Sequence, residues 1–166
     1  MKLIREEIEK VEVITEGTGK STRLYIKGPF LQAETVNRNG RMYPMSIMER
    51  EVNRYNEQYV QKGRALGELG HPDTPSINLE RASHKITSLS EDGNSFYGKA
   101  LILDTPYGQI VKNFIDNDVN LGVSSRAMGS LVQTKEGYNL VQDDFKLANI
   151  CIVLMLSLSL AIGLLL

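Results

Sequence analysis

The stretch "HKITSLSEDGNSFYGKALIL", His84–Leu103, decides the fold class. Two strand-like runs, 84–90 and 95–103, flank the polar tetrad "EDGN". Asp-Gly accepts the positive φ angles of a tight turn, so the stretch reads as a hairpin with Asp92-Gly93 at its tip. A hairpin is antiparallel, and the segments around it extend that pattern. On the C-terminal side, "TPYGQIVKNFIDND" (105–118) predicts a short helix with Ile110, Val111 and Phe114 inward. A strand follows over 121–133, then the turn "TKEGY" and a further strand, "YNLVQDDFKL". On the N-terminal side, "TRLYIKGPFLQAETV" (22–36) reads as strands broken at Gly28-Pro29, and "NRNGRMYP" (37–44) as a loop. Met48, Val52, Tyr55 and Tyr59 make one apolar stripe on a helix spanning 45–61, with Ser46 and Glu49 as a capping box. The expected fold is α+β: a mainly antiparallel, barrel-like sheet flanked by helices.

Composition narrows the function classes. The chain has 166 residues, 42% hydrophobic and 23% charged, which suits one globular core. Its net charge of −1 gives no broad attraction for nucleic acid. The single cysteine, Cys151, allows no internal disulfide and no cysteine metal cluster, so neither metal nor cofactor is expected. The charged start "MKLIREEIEK" is no signal peptide, which points to a reducing, cytoplasmic setting.

One motif invites a wrong conclusion. "EGTGKST" (16–22) ends like a phosphate-binding loop. Such a loop needs a glycine five residues before its Gly-Lys pair, and Ile14 stands there. The residues after Thr22 read as a strand where a helix is required. The segment is a polar connector.

Candidate chemistry lies in two places. His71, in the Gly/Pro-rich segment "RALGELGHPDTPS" (64–76), stands on a loop that can reach a cleft. His84 opens a strand and reads as structural. Ser124 and Ser125, in "GVSSRAMGS" (122–130), point to opposite faces of a strand, so one of them can face a given cleft. A serine hydroxyl needs a base to take its proton, and histidine is the usual one. Arg126 and nearby backbone N–H groups are candidates to stabilise an oxyanion. The pattern is no Gly-x-Ser-x-Gly elbow, because Arg126 replaces the last glycine.

Taken together, "LYIKGPFLQAETVNRNGRMYP", "ALGELGHP" and "LGVSSRAMGSL" resemble, in order and spacing, the prohead core proteases of T-even-type tailed phages, over about residues 22–147. The resemblance implies a serine protease with a fold similar to the herpesvirus assemblins. It implies action inside the prohead, in the host cytoplasm, on scaffold and core proteins and on the major capsid protein. It makes His71 the general base and Ser124 the nucleophile, with Ser125 and Arg126 in support. It also implies cutting after glutamate with an aliphatic residue two positions earlier. Ile14-Thr15-Glu16 fits that pattern and makes Glu16-Gly17 a candidate self-cleavage site, and Ile4-Arg5-Glu6 fits it as well.

The resemblance stops at Leu147. Family members continue into an acidic, Pro-Ser-Ala-Pro-like segment, whereas this chain reads "ANICIVLMLSLSLAIGLLL". No acidic or histidine residue follows Asp144, so a third triad member from that segment is missing; Asp143, Asp144 and His84 are the substitutes in view. Residues 1–21 are expected to form a flexible leader, 22–148 the protease domain and 149–166 a hydrophobic tail. The tail reads as an aberrant or frame-shifted end, with a buried element or a membrane anchor as alternatives; no aromatic belt or basic flank supports a span. The competing functions are a non-catalytic prohead core component and a membrane-anchored cytoplasmic domain.

Overall fold

The computed structural model describes residues 1–8 and 11–155. In chain order its elements are β1 (Lys2–Ile8), β2 (Glu12–Glu16), β3 (Arg23–Gln32), β4 (Arg41–Met42), α1 (Met45–Tyr55), β5 (Leu66–Glu68), β6 (Ala82–Asp92), β7 (Ser95–Ile102), α2 (Pro106–Asp116), β8 (Leu121–Gly129), β9 (Leu131–Gln133), β10 (Asn139–Val141) and β11 (Lys146–Leu154). The expected hairpin is β6 and β7, paired from His84↔Ile102 to Asp92↔Ser95, with Gly93 at φ 60° in the turn. It forms the centre of a five-stranded sheet ordered β2-β3-β7-β6-β5. A second sheet, β1-β8-β11, is antiparallel throughout, and a small one, β4-β10-β9, stands beside it.

The two larger sheets meet where Leu69, just past β5, bridges Ile152 in β11 and the Gly70 N–H donates to the Ile152 carbonyl at 2.8 Å. The class is α+β as expected, but the strands do not close into a barrel: among the described residues β1 and β3 share no ladder. Instead Glu6–Ile8 of β1 and Pro29–Gln32 of β3 line opposite walls of a cavity of about 350 Å³.

Local chemistry explains where the elements depart from expectation. Gly28-Pro29 does not break β3. The register shifts there by a bulge, which absorbs a residue without an N–H. The capping box does not form: Pro44 is the N-cap, and the Met45 N–H donates to Glu34 Oε1 at 2.5 Å, leaving Ser46 inside the helix. The predicted stripe is real, with Met48, Val52 and Tyr55 buried and Tyr59 stacked on Tyr55; a turn of π-helix (Asn56–Val60) completes the span to Val60. In α2, Val111 is buried and Phe114 packs on the core, but Ile110 faces solvent. Residues 1–21 hold β1 and β2 rather than a loose leader, because Ile4 plugs into the core and both strands find sheet edges. "EGTGKST" is the connector of the β2–β3 hairpin, with Gly17 at φ 91°. The apolar tail begins inside β11, where Ile150, Cys151, Ile152 and Val153 are buried against β8. The rest of it, 156–166, lies outside the described residues. Among the described residues no helix is long and apolar enough to cross a membrane.

Candidate active site

Strand β8 lies between β1 and β11, and its alternation sorts the candidates onto two faces. Val123, Ser125 and Ala127 share the core face with Ile4, Glu6, Ile150 and Leu147. Ser124 and Arg126 share the other face with Arg5, Glu7, Asn149 and Cys151. The loop carrying His71 covers that second face, since Arg126 donates to Pro72 and Thr74 carbonyls within it.

Ser124 is fully buried, and its Oγ has no hydrogen-bond partner among the described residues. Directly across the ladder stands Glu7, whose Oε1 lies 2.8 Å from His71 Nε2. The imidazole nitrogen that would serve a nucleophile is therefore held by a carboxylate of β1. His71 Nδ1 is buried without a partner. The structure thus brings His71 and Ser124 to one face with Glu7 between them, and puts Ser125 on the other. Ser125 lines the 350 Å³ cavity.

Glu6 and Tyr43 also line that cavity, and Glu6 sits in a prepared carboxylate site. Glu6 Oε1 accepts from Arg41 Nη1 at 2.6 Å and from the Tyr43 hydroxyl at 2.8 Å, and Glu6 Oε2 accepts from Asn39 Nδ2 at 2.7 Å. Burial, and then the Glu6 charge, push the Tyr43 hydroxyl far up, so it stays protonated and donates. Sequence reasoning read Asn39, Arg41 and Tyr43 only as parts of the loop "NRNGRMYP"; two arginines in a turn were the available signal.

Arg126 is wholly buried and heavily engaged. Nε donates to Asn149 Oδ1 at 2.7 Å, Nη1 to the Pro72 and Thr74 carbonyls at 3.0 and 2.7 Å, and Nη2 to Glu68 Oε2 at 2.5 Å. Four of its five donors are thereby committed away from a reacting carbonyl. Glu68 and Asn149 were not singled out in the sequence. Glu68 ends the three-residue β5 and Asn149 interrupts the apolar run of β11, signals that short strands obscure.

The remaining candidates lie elsewhere. His84 is fully buried, its Nε2–H donating to the Ile150 carbonyl and Nδ1 accepting from Ser83 Oγ, both at 2.8 Å. Burial pushes its imidazole down to about 4, partly opposed by the Ile150 carbonyl, so it is neutral and structural. Asp143 accepts from Arg50, and Asp144 from Ser130, whose N–H and hydroxyl hold that carboxyl below its usual range. Glu16 sits at the end of β2 against Lys99, in the other sheet. The Cys151 thiol is raised by burial, with Arg126 opposing, and donates to Asn149 Oδ1 at 3.3 Å. Among the described residues no group of His, Cys, Asp and Glu is arranged to hold a metal.

A family model described as prohead core protein serine protease matches residues 6–156. The prohead core protein protease of Enterobacteria phage T4 is 40% identical over 132 residues, covering 78% of this chain and 62% of that protein. This chain therefore spans a little under two thirds of that curated relative's length. The solved structure of the bacteriophage T4 capsid assembly protease superposes with a TM-score of 0.86 at 35% identity, covering 93% of this chain and 98% of that one.

Proposed function

Because the chain belongs to the prohead core protein serine protease family, we propose that it is a head-maturation endopeptidase with Ser124 as nucleophile and His71 as general base. One observation carries the assignment. On the face of β8 covered by the histidine loop, Ser124 Oγ stands unpaired across from Glu7, the residue that holds His71 Nε2. Ser125 shares no such neighbourhood. A buried hydroxyl without a partner costs free energy, and such positions in native proteins call for a functional reason.

In the reaction Ser124 Oγ bonds to the substrate carbonyl carbon while its proton passes to His71 Nε2. The C–N bond then breaks, and His71 returns the proton to the departing amine. Water, deprotonated by the same imidazole, releases the acyl group. Backbone N–H groups of β8, which pair with β1 here, hold the oxyanion of whichever strand lies along β8 as substrate. The substrates are scaffold, core and capsid proteins of the prohead.

In this reading β1 is bound where substrate binds. It runs antiparallel along β8 with Ile4 buried, Glu6 in the Arg41–Tyr43–Asn39 site and Glu7 opposite Ser124. Ile4-Arg5-Glu6 matches the aliphatic-x-Glu pattern, so Glu6–Glu7 is the self-cleavage bond in place of Glu16–Gly17. The test is cleavage of a peptide carrying an aliphatic-x-Glu sequence. The chain is expected to cut it after the glutamate, and Ser124→Ala and His71→Ala are each expected to abolish cutting. Retained cutting in either variant refutes the assignment.

A second reading has its own observation: His71 Nδ1 has no orienting partner among the described residues. Loss of an orienting carboxylate costs about 10⁴ in turnover. In that reading the chain is a core component with an incomplete triad, and the parent chain leaves the peptide uncut.

A further inference from the structure

The segment from Leu69 to Asn78 carries His71 and has no regular secondary structure of its own. It contains Pro72 and Pro75, which lack N–H donors, so it cannot fasten itself by a ladder. Yet its backbone is held at six points. The Leu69 carbonyl accepts from Arg81 Nη2 at 2.9 Å, and the Gly70 N–H donates to Ile152. The Pro72 and Thr74 carbonyls accept from Arg126, the Pro75 carbonyl accepts from Asn149 Nδ2 at 3.1 Å, and the Asn78 N–H donates to Glu68 Oε1 at 3.1 Å. Four of these contacts run through one buried cluster, Glu68–Arg126–Asn149, in which Arg126 stands two residues from Ser124 on the same face of β8.

The loop has a second set of ties, to β1: Glu7 to His71 and Arg5 to Asp73 at 3.5 Å. These involve partly or fully exposed side chains, with Asp73 92% exposed; cleavage after Glu6 removes Arg5 and leaves Glu7 as the free N-terminal residue. The buried cluster does not depend on β1. It is the set that persists when the site is open.

We propose that Arg126, seated by Glu68 and Asn149, is a positioning residue that fixes the His71 loop to the strand bearing Ser124. Arg126 acts through the loop backbone and touches no reacting atom. The role suits arginine specifically. A planar guanidinium binds two carbonyls, an amide oxygen and a carboxylate at once from fixed directions, which a lysine ammonium cannot do. This inference rests on the Ser124–His71 reading above.

The test uses the full chain as parent, Arg126→Lys and Asn149→Asp. The lysine variant keeps the charge beside Glu68 and loses the paired grip on Pro72 and Thr74. The aspartate variant keeps an acceptor for Arg126 while it replaces the donor to Pro75 with a carboxylate oxygen that repels that carbonyl, so it releases the loop by a different route from the lysine variant. Val111→Ala, a core truncation in α2 that touches none of the six loop contacts named above, is the stability control. Two quantities are read: amide exchange over residues 73–78 and the first-order rate at which the chain removes its own N-terminus. The expected result is at least tenfold faster exchange and at least tenfold slower self-cleavage in both loop variants, with His71 ring resonances displaced. Val111→Ala lowers the melting temperature without slowing cleavage. Loop variants that cleave at the parent's rate, or whose 73–78 amides exchange at the parent's rate, overturn the positioning role alone. A parent that never cleaves itself overturns the Ser124–His71 reading, and the positioning role falls with it.

Discussion

Ser124 gives the residue scale its sharpest expectation, because function and stability pull it in opposite directions. Its Oγ is buried and unpaired, so Ser124→Ala removes a polar group that folding left unsatisfied. The alanine variant is expected to be as stable as the parent or about 1 kcal/mol more stable, while losing peptide cleavage; urea midpoints and a cleavage assay measure both. His84 makes a pH argument. Its folded value is pushed from 6.5 to about 4, so folding favours the neutral ring. That contribution, about 3 kcal/mol for a shift of this size, is complete above the unfolded value and is lost as pH falls from about 6.5 toward 4. His84→Gln keeps a donor for the Ile150 carbonyl and does not titrate, so the fall in stability over that window is expected to shrink. At the glutamate site, Arg41→Met is expected to reduce kcat/KM for aliphatic-x-Glu peptides by tenfold or more, with a smaller effect on their aliphatic-x-Gln counterparts, since a charge-assisted pair is lost only for the former. Legibility at this scale was uneven. His71 and Ser124 stood out because histidine is scarce and paired serines are conspicuous. Arg41, Tyr43 and Glu68 did not, because their meaning comes from long-range partners: Glu6 is more than thirty residues from the side chains that hold it.

Among the elements, the hairpin β6–β7 and helix α1 were readable because their signals are local: Asp92-Gly93 for the turn, a 3.6-residue stripe for the helix. β1 was not. "KLIREEI" is polar enough to pass for a leader, and only a sheet edge offered by β8 makes it a strand. The same contrast separates Ser46, a correct-looking cap by sequence, from Glu34, the group that meets the helix end after the chain folds back. The seam between the sheets offers the test at this scale. A Cβ on Gly67 would lie 2.1 Å from His84 Nε2 and 2.3 Å from the Ile150 carbonyl, wedging β5 from β11 and breaking the His84–Ile150 hydrogen bond between β6 and β11. Gly67→Ala is therefore expected to destabilise by roughly 1–3 kcal/mol, read from a denaturant midpoint. Because Glu68 and the His71 loop follow Gly67 directly, it is also expected to slow cleavage beyond what the stability loss alone explains.

As a whole molecule, the described chain has two larger sheets joined at the β5–β11 seam, a small third sheet, and a cavity lined by β1 and β3. Strand β1 borders both faces of β8: Glu6 lines the cavity beside Ser125, and Glu7 lies across from Ser124 on the other face. Strand β1 supplies both the carboxylate in the Arg41 site and the one on His71, and in the proposed reading its Glu6–Glu7 bond is the first substrate of the site it occupies. The most direct measurement is the intact mass of the full chain over time, beside Ser124→Ala. The account predicts a product lacking residues 1–6 and beginning at Glu7, formed by the parent and absent from the alanine variant. A Ser124→Ala chain that loses the same six residues, or a parent whose new N-terminus lies elsewhere with Lys2–Glu6 intact, would contradict it.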